Sequence, residues 1–108
     1  MFGLFKTKKN YENVNAATFK QLMTETPNAV VLDVRTPAEA RSGSIKGAVN
    51  IDLMSMDFQQ KIAKLDKNKT YFVYCRSGNR SGQACKVMGD AGFTNVYNLS
   101  GGMMSWPY

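Results

Sequence analysis

Four short apolar runs alternate along the chain with segments of helical spacing: Ala29-Val30-Val31-Leu32-Asp33, Ala48-Val49-Asn50-Ile51, Thr70-Tyr71-Phe72-Val73-Tyr74 and Val96-Tyr97-Asn98-Leu99. Runs that are continuous, and rich in β-branched and aromatic residues, suit strands covered on both faces. Strands that take turns with helices build a parallel sheet, so the alternation predicts an α/β domain with a central, mostly parallel sheet. Asn15 is placed to cap a helix carrying Phe19, Leu22 and Met23 on one face and ending before Pro27. Thr36-Pro37-Ala38-Glu39 reads as a capping box with proline at the first helical position, opening a short helix before Gly43 and Gly47. Phe58, Ile62 and Leu65 share a helical face that Asp66-Lys67-Asn68-Lys69 closes as a polar turn. A further helix is expected from about Ser81, burying Ala84, Cys85, Val87, Met88 and Ala91 and ending at Gly89 and Gly92. Ser100-Gly101-Gly102 opens a terminal turn or helix carrying Met103, Met104 and Trp106. At 108 residues and 44% apolar, the chain has material for one core and no room for a second domain. Residues 1–10 read as a short N-terminal extension and 11–108 as the domain.

Composition narrows the chemistry. There is no histidine, which excludes Ser-His-Asp and Cys-His dyads and every histidine-ligated metal site. Two cysteines are too few for a disulfide scaffold or a four-cysteine zinc site. The net charge of +6 favours anionic partners, whether small oxyanions, nucleic acid or a membrane surface. The lysines at 6, 8, 9, 61, 64, 67 and 69 lack interleaved aromatics and read as solvated surface, not as a nucleic-acid interface. Phe2, Leu4 and Phe5 precede Lys6 in a stretch too short for a signal-peptide core, and they read as packing residues and not as a membrane contact. A cytoplasmic location is expected.

The chemistry then falls to cysteine. Cys75 ends the clearest strand and opens Cys75-Arg76-Ser77-Gly78-Asn79-Arg80-Ser81, at the carboxyl edge of the sheet where ligands of such folds gather. A turn freed by Gly78 can aim several N–H groups inward at a helix N-terminus, and two arginines add positive potential. The magnitudes are adequate. A free thiol of pKa ~8.5 is about 3% ionised at pH 7, and lowering it by ~2 units takes ~2.7 kcal/mol. A helix terminus with two or three charge-assisted hydrogen bonds supplies that, so no histidine base is required. Cys85, ten positions on, lies on the apolar side of its helix and forms no CxxC pair; it reads as inert core.

The loop resembles the active-site loop of the rhodanese (sulfurtransferase) family in its single-domain form, and the resemblance spans nearly the whole chain. Asp33-Val34-Arg35-Thr36-Pro37 with Glu39, Ser44-Ile45-Lys46-Gly47-Ala48-Val49-Asn50-Ile51, and Leu99-Ser100-Gly101-Gly102 followed by Trp106 are similar to the family's other signatures, in the family's order. Ser44 departs from it, standing where members commonly carry a structural histidine. The resemblance implies a rhodanese-like single domain, its sheet flanked by helices on both faces. It implies transfer of a sulfane sulfur without cofactor or metal: Cys75 attacks a donor such as thiosulfate, becomes a persulfide, and passes the sulfur to cyanide, a thiol or an acceptor protein. On this reading Arg76, Ser77, Gly78, Asn79, Arg80 and Ser81 bind substrate, Arg80 stabilises the persulfide, and Asp33 and Arg35 support the loop.

Two alternatives use the same parts. Cysteine-type phosphatases and arsenate reductases also place a cysteine before an arginine, but with five intervening residues where this chain has four, which makes a tighter cradle. A persulfide carrier or docking module would share Cys75 with a catalyst.

Overall fold

The computed structural model describes residues 10–108; the expectations for Phe2, Leu4, Phe5 and the first lysines lie outside them. Five strands form one sheet in the order β1-β5-β4-β2-β3, and all four neighbouring pairs are parallel. The strands are β1 (Glu12–Val14), β2 (Ala29–Asp33), β3 (Val49–Asn50), β4 (Thr70–Tyr74) and β5 (Val96–Leu99). The helices are α1 (Ala16–Glu25), α2 (Pro37–Arg41), α3 (Phe58–Ala63) and α4 (Asn79–Asp90), with a 3-10 turn at Gly102–Ser105.

Side chains alternate across β4 with the period of two that a strand imposes. Tyr71, Val73 and Cys75 face a layer containing Phe58 and Ile62 of α3 and Ala84, Cys85 and Met88 of α4. Phe72 and Tyr74 face Phe19 of α1, Ile45, Leu99 and Trp106 on the other side. Helices therefore cover both faces, and the central strand is buried from Tyr71 to Tyr74. Each fully buried aliphatic or phenyl side chain there, such as Val73 or Phe72, contributes about 1.5–3 kcal/mol by leaving water. Trp106 stands edge-on to Phe19 at 5.6 Å, a packing role.

The caps are as the sequence predicts: the Asn15 side chain accepts from Thr18 N, and Thr36 and Glu39 complete a capping box. Four local expectations change. β1 is a strand that the pattern does not announce, since Val14 is its one apolar residue; it forms on β5, with Ser100 N donating to Val14 O at 2.8 Å. β3 contracts to Val49–Asn50, and the Ile51 N–H donating to Asp33 O at 2.9 Å is the rung that pairs Asn50 with Asp33. α4 begins at Asn79 and not near Ser81, because left-handed Gly78 (φ 99°) is its cap and the Gly78 carbonyl accepts Gly82 N at 3.1 Å. On the same helix Val87 is half-buried and Ala91 exposed, both further from the sheet than their spacing suggested.

A buried ionic cluster closes the carboxyl end of β2 and β4. Arg35 donates to Asp33 through Nε (2.9 Å) and Nη2 (2.6 Å), and Nη2 also reaches Gly43 O at 2.7 Å. The Tyr74 hydroxyl donates to Asp33 Oδ2 at 2.9 Å and accepts Ile45 N at 3.0 Å. The hydrogen bond to Asp33 raises the Arg35 pKa, and burial raises that of Tyr74. Such a cluster adds little net stability against an apolar alternative, but losing one member strands the others. Tyr74→Phe would leave the Ile45 N–H unmatched and Asp33 short of a donor. It is expected to cost about 1–3 kcal/mol with an unchanged m-value in urea unfolding; a wild-type midpoint would show the hydroxyl to be dispensable.

Candidate active site

Cys75 is placed by three elements. β4 delivers it, the reversal at Gly78 turns the chain into α4, and the segment after β5 supports the turn from behind. Met103 N donates to Cys75 O at 2.9 Å and Met104 N to Arg76 O at 3.0 Å. A side chain on Gly102 would collide with the Arg76 carbonyl and Ser77 N, and one on Gly78 would stand 3.0 Å from Gly101 N. The two chain segments thus meet backbone to backbone, and the Ser100-Gly101-Gly102 motif is the rear wall of the site.

Within the loop, Cys75 Sγ accepts hydrogen bonds from Gly78 N (3.2 Å) and Ser81 N (3.3 Å). The residue is 0% exposed. Burial by itself would push the thiol up; the Ser81 hydroxyl and the N–H groups of Ser81, Gly78 and Ser77 outweigh it, and the thiol lies below its ordinary value. The Ser81 hydroxyl is itself buried and makes no hydrogen bond of ordinary geometry among the described residues; its influence is on the sulfur, where it favours the anion. Cys85 behaves oppositely. It is free, buried, and its thiol is driven well up by desolvation.

The other residues singled out by sequence are distributed as follows. Ser77 and Asn79 are exposed on the loop. Arg76 projects from it, exposed and without an ion pair among the described residues. The Arg80 fork does not close over the sulfur: Nη1 and Nη2 donate to Glu39 Oε1 (2.8 Å) and Oε2 (2.9 Å). Its charge still registers the sulfur and Asp52, both of which raise the Arg80 pKa behind the larger effect of Glu39. Asp33 and Arg35 bond to Tyr74 and Gly43 O and not to residues 75–81, supporting the strand end that carries Cys75. Ser44 donates to Ala40 O at 2.5 Å, terminating α2 locally. Sequence reasoning did not find Glu39 as the partner of Arg80, nor the parts of Tyr74, Asn98 and Gly102; Glu39 was visible as a cap, but nothing local connects it to a residue 41 positions away. Among the described residues no group of three or more cysteines, aspartates or glutamates is disposed to hold a metal ion. No helix among them is long and apolar enough to cross a membrane.

A parallel α/β sheet with a cysteine cradled by amides at the head of α4 defines the class, and comparison gives the family. The chain belongs to the rhodanese-like domain family, whose profile matches residues 15–107. It is 31% identical over 93 residues to a sulfurtransferase of Allochromatium vinosum, covering 86% of this chain and 85% of that one. It is 39% identical over 70 residues to thiosulfate sulfurtransferase PspE of Escherichia coli, covering 65% and 67%. A tRNA uridine(34) hydroxylase of Cytophaga hutchinsonii matches 93% of this chain at 37% identity, but this chain spans only 33% of that protein. The solved structure of a rhodanese-related protein from Thermoplasma volcanium superposes with a TM-score of 0.76 at 34% identity, covering 89% of this chain and 90% of that one. Sulfurtransferases thus stand among its relatives, and a rhodanese-type enzyme is the family-level description.

Two outcomes follow from the electrostatics. Glu39 is held at a pKa of about 2, chiefly by the Arg80 hydrogen bonds and then by Thr36, against an ordinary 4.5. A depressed carboxylate stabilises the fold fully above its unfolded pKa and loses that contribution as pH falls toward the folded value. Glu39→Gln is therefore expected to unfold more easily than wild type at pH 7, with the two curves converging as acid titration approaches pH ~2; a constant gap would exclude the ion pair as the cause. Cys75 is expected to be alkylated by iodoacetamide with a midpoint below that of a free thiol, while Cys85→Ala leaves that midpoint in place. A free-thiol midpoint would remove the amide cradle as an activating device.

Proposed function

We propose that this protein is a sulfurtransferase that moves a sulfane sulfur from a small anionic donor such as thiosulfate, through a persulfide on Cys75, to a thiol or cyanide. The observation that carries the reading is the Sγ of Cys75 receiving two backbone N–H groups at the mouth of α4. The thiolate attacks the outer sulfur of thiosulfate, forming a Cys75 S–S bond as the donor S–S bond breaks and sulfite leaves with the electron pair. The persulfide anion inherits the N–H groups that held the thiolate, which serve it as an oxyanion hole serves a tetrahedral intermediate. Cyanide or a thiolate then attacks the outer sulfur, taking it as thiocyanate or as a new persulfide and returning Cys75 as thiolate. Exposed Arg76 attracts the anionic donor to the loop, and Ser81 supplies a hydroxyl beside the sulfur. Thiosulfate as donor is supported by the activity for which the PspE relative is named. The hydroxylase relatives are three times longer, and their whole-chain activity is not carried over.

Phosphoryl transfer fits the site less well. Four residues separate Cys75 from Arg80, and the Arg80 fork is bound to Glu39 rather than directed into the cradle. Arg80 therefore acts by its charge and by fixing α2 against the loop.

The test is the intact mass of the full chain before and after thiosulfate, and again after cyanide. One sulfur atom is expected to be gained and then lost, and Cys75→Ser is expected to gain none while retaining the fold. Sulfur loading in Cys75→Ser at wild-type stoichiometry would move the site elsewhere. Loading without repeated turnover would make the protein a carrier and not a catalyst.

A further inference from the structure

The peptide unit between Gly78 and Asn79 is held from behind by a buried amide, and we infer that Asn98 is a positioning residue that fixes the orientation of the sulfur cradle. The inference rests on Cys75 acting as an anionic nucleophile. Asn98 lies on β5, 3% exposed, between buried Val96 and Leu99. Its Nδ2 donates to Gly78 O at 3.2 Å and to Asn13 Oδ1 at 2.8 Å, while its Oδ1 is buried with no partner among the described residues. Burying an unmatched amide oxygen is unfavourable, and an apolar side chain at this place would avoid it. What Asn98 supplies is its pair of donors.

The geometry shows what those donors do. The Gly78 carbonyl accepts from both Asn98 and Gly82 N, so it points toward β5 and the body of α4. In a planar trans peptide the following N–H points the opposite way, which turns the Asn79 N–H away from Asn98. Gly78 sits at φ 99° with no side chain, so this peptide plane is held by its hydrogen bonds and not by a side chain. Without the Asn98 bond the Gly78 carbonyl keeps only Gly82 N, which loosens the first turn of α4 and with it the Ser81 N–H that now meets Sγ. Asn13, exposed on β1, holds the Asn98 amide in turn, which gives the edge strand a part in the site. The charged and titratable groups near the loop are Arg76, Arg80 of α4 with Glu39 of α2 and Asp52 after β3 beside it, and the Cys85 thiol. Lys86 of α4 stands behind the loop with Asn98 and Asn13. Changes at Asn98 leave all of these in place.

The experiment follows thiolate formation by ultraviolet absorbance against pH in the full chain, with Cys75→Ser as the background; buried Cys85 stays protonated over the range. Asn98→Leu is expected to titrate about one unit above wild type, roughly tenfold less thiolate at a pH below both midpoints. Leu is close to the amide in size, removes both donors and adds no charge. Asn13→Ala is expected to shift the midpoint in the same direction by less. A wild-type midpoint in folded Asn98→Leu would overturn the inference, and if that variant does not fold, an unchanged Asn13→Ala midpoint would overturn it. Failure of the sulfurtransferase reading shows elsewhere, as a wild type that forms its thiolate at low pH but takes no sulfur from thiosulfate, and leaves the assignment of Asn98 standing. A wild-type Cys75 that ionises as a free thiol would overturn both.

Discussion

The left-handed reversal at Gly78 sits where three demands meet in one residue. The chain must leave a buried strand, start α4, and turn its N–H groups toward a sulfur that water does not reach. A side chain there would take up a strained backbone and press on Gly101 N and Leu99 O, so the rear wall, the loop and the helix cap are packed as one unit. Buried thiols ordinarily resist ionisation, and this one is inverted only because the amides it meets are already fixed before the charge appears. The contrast with Cys85 is instructive: the same side chain, buried on the same layer without aligned donors, is pushed the other way.

A second constraint works at the opposite edge of the loop. Glu39 uses Oε1 to finish the α2 cap through Thr36 and both oxygens to hold Arg80, so one carboxylate links a helix start to the Cys75 loop. The Asp33–Arg35–Tyr74 cluster does the comparable work below, fixing the residue before Cys75 and the segment at Gly43 and Ile45 in one buried network. Charges near the site therefore mostly hold backbone in place, and the sulfur is left to main-chain N–H groups and a hydroxyl. Such donors are already in place when charge develops on the sulfur.

Legibility followed the range of the forces involved. Asn15 and Thr36 were readable as caps because capping is settled within four residues. β2 and β4 were readable because a strand buried on both faces must be apolar throughout. β1 was not, since Glu12, Asn13 and Val14 gain strand geometry only from β5. The start of α4 was displaced by two residues because Gly78, not a side-chain cap, begins it.

By itself the sequence determined the α/β alternation, the exclusion of histidine chemistry, and the place of Cys75 at a strand end before a helix. Each depends on residue type or local period, which the chain carries wherever it folds. Tertiary structure decided which groups serve that cysteine. It gave Arg80 to Glu39, turned Arg35 to Gly43 and Asp33, set Asn98 behind the Gly78 carbonyl, and brought Gly102 against the Arg76 backbone. Apart from Arg35 with Asp33, which are two positions apart, these pairings join residues from 8 to 41 positions apart along the chain. Their geometry comes from how the strands are ordered in the sheet, and no local propensity encodes that order.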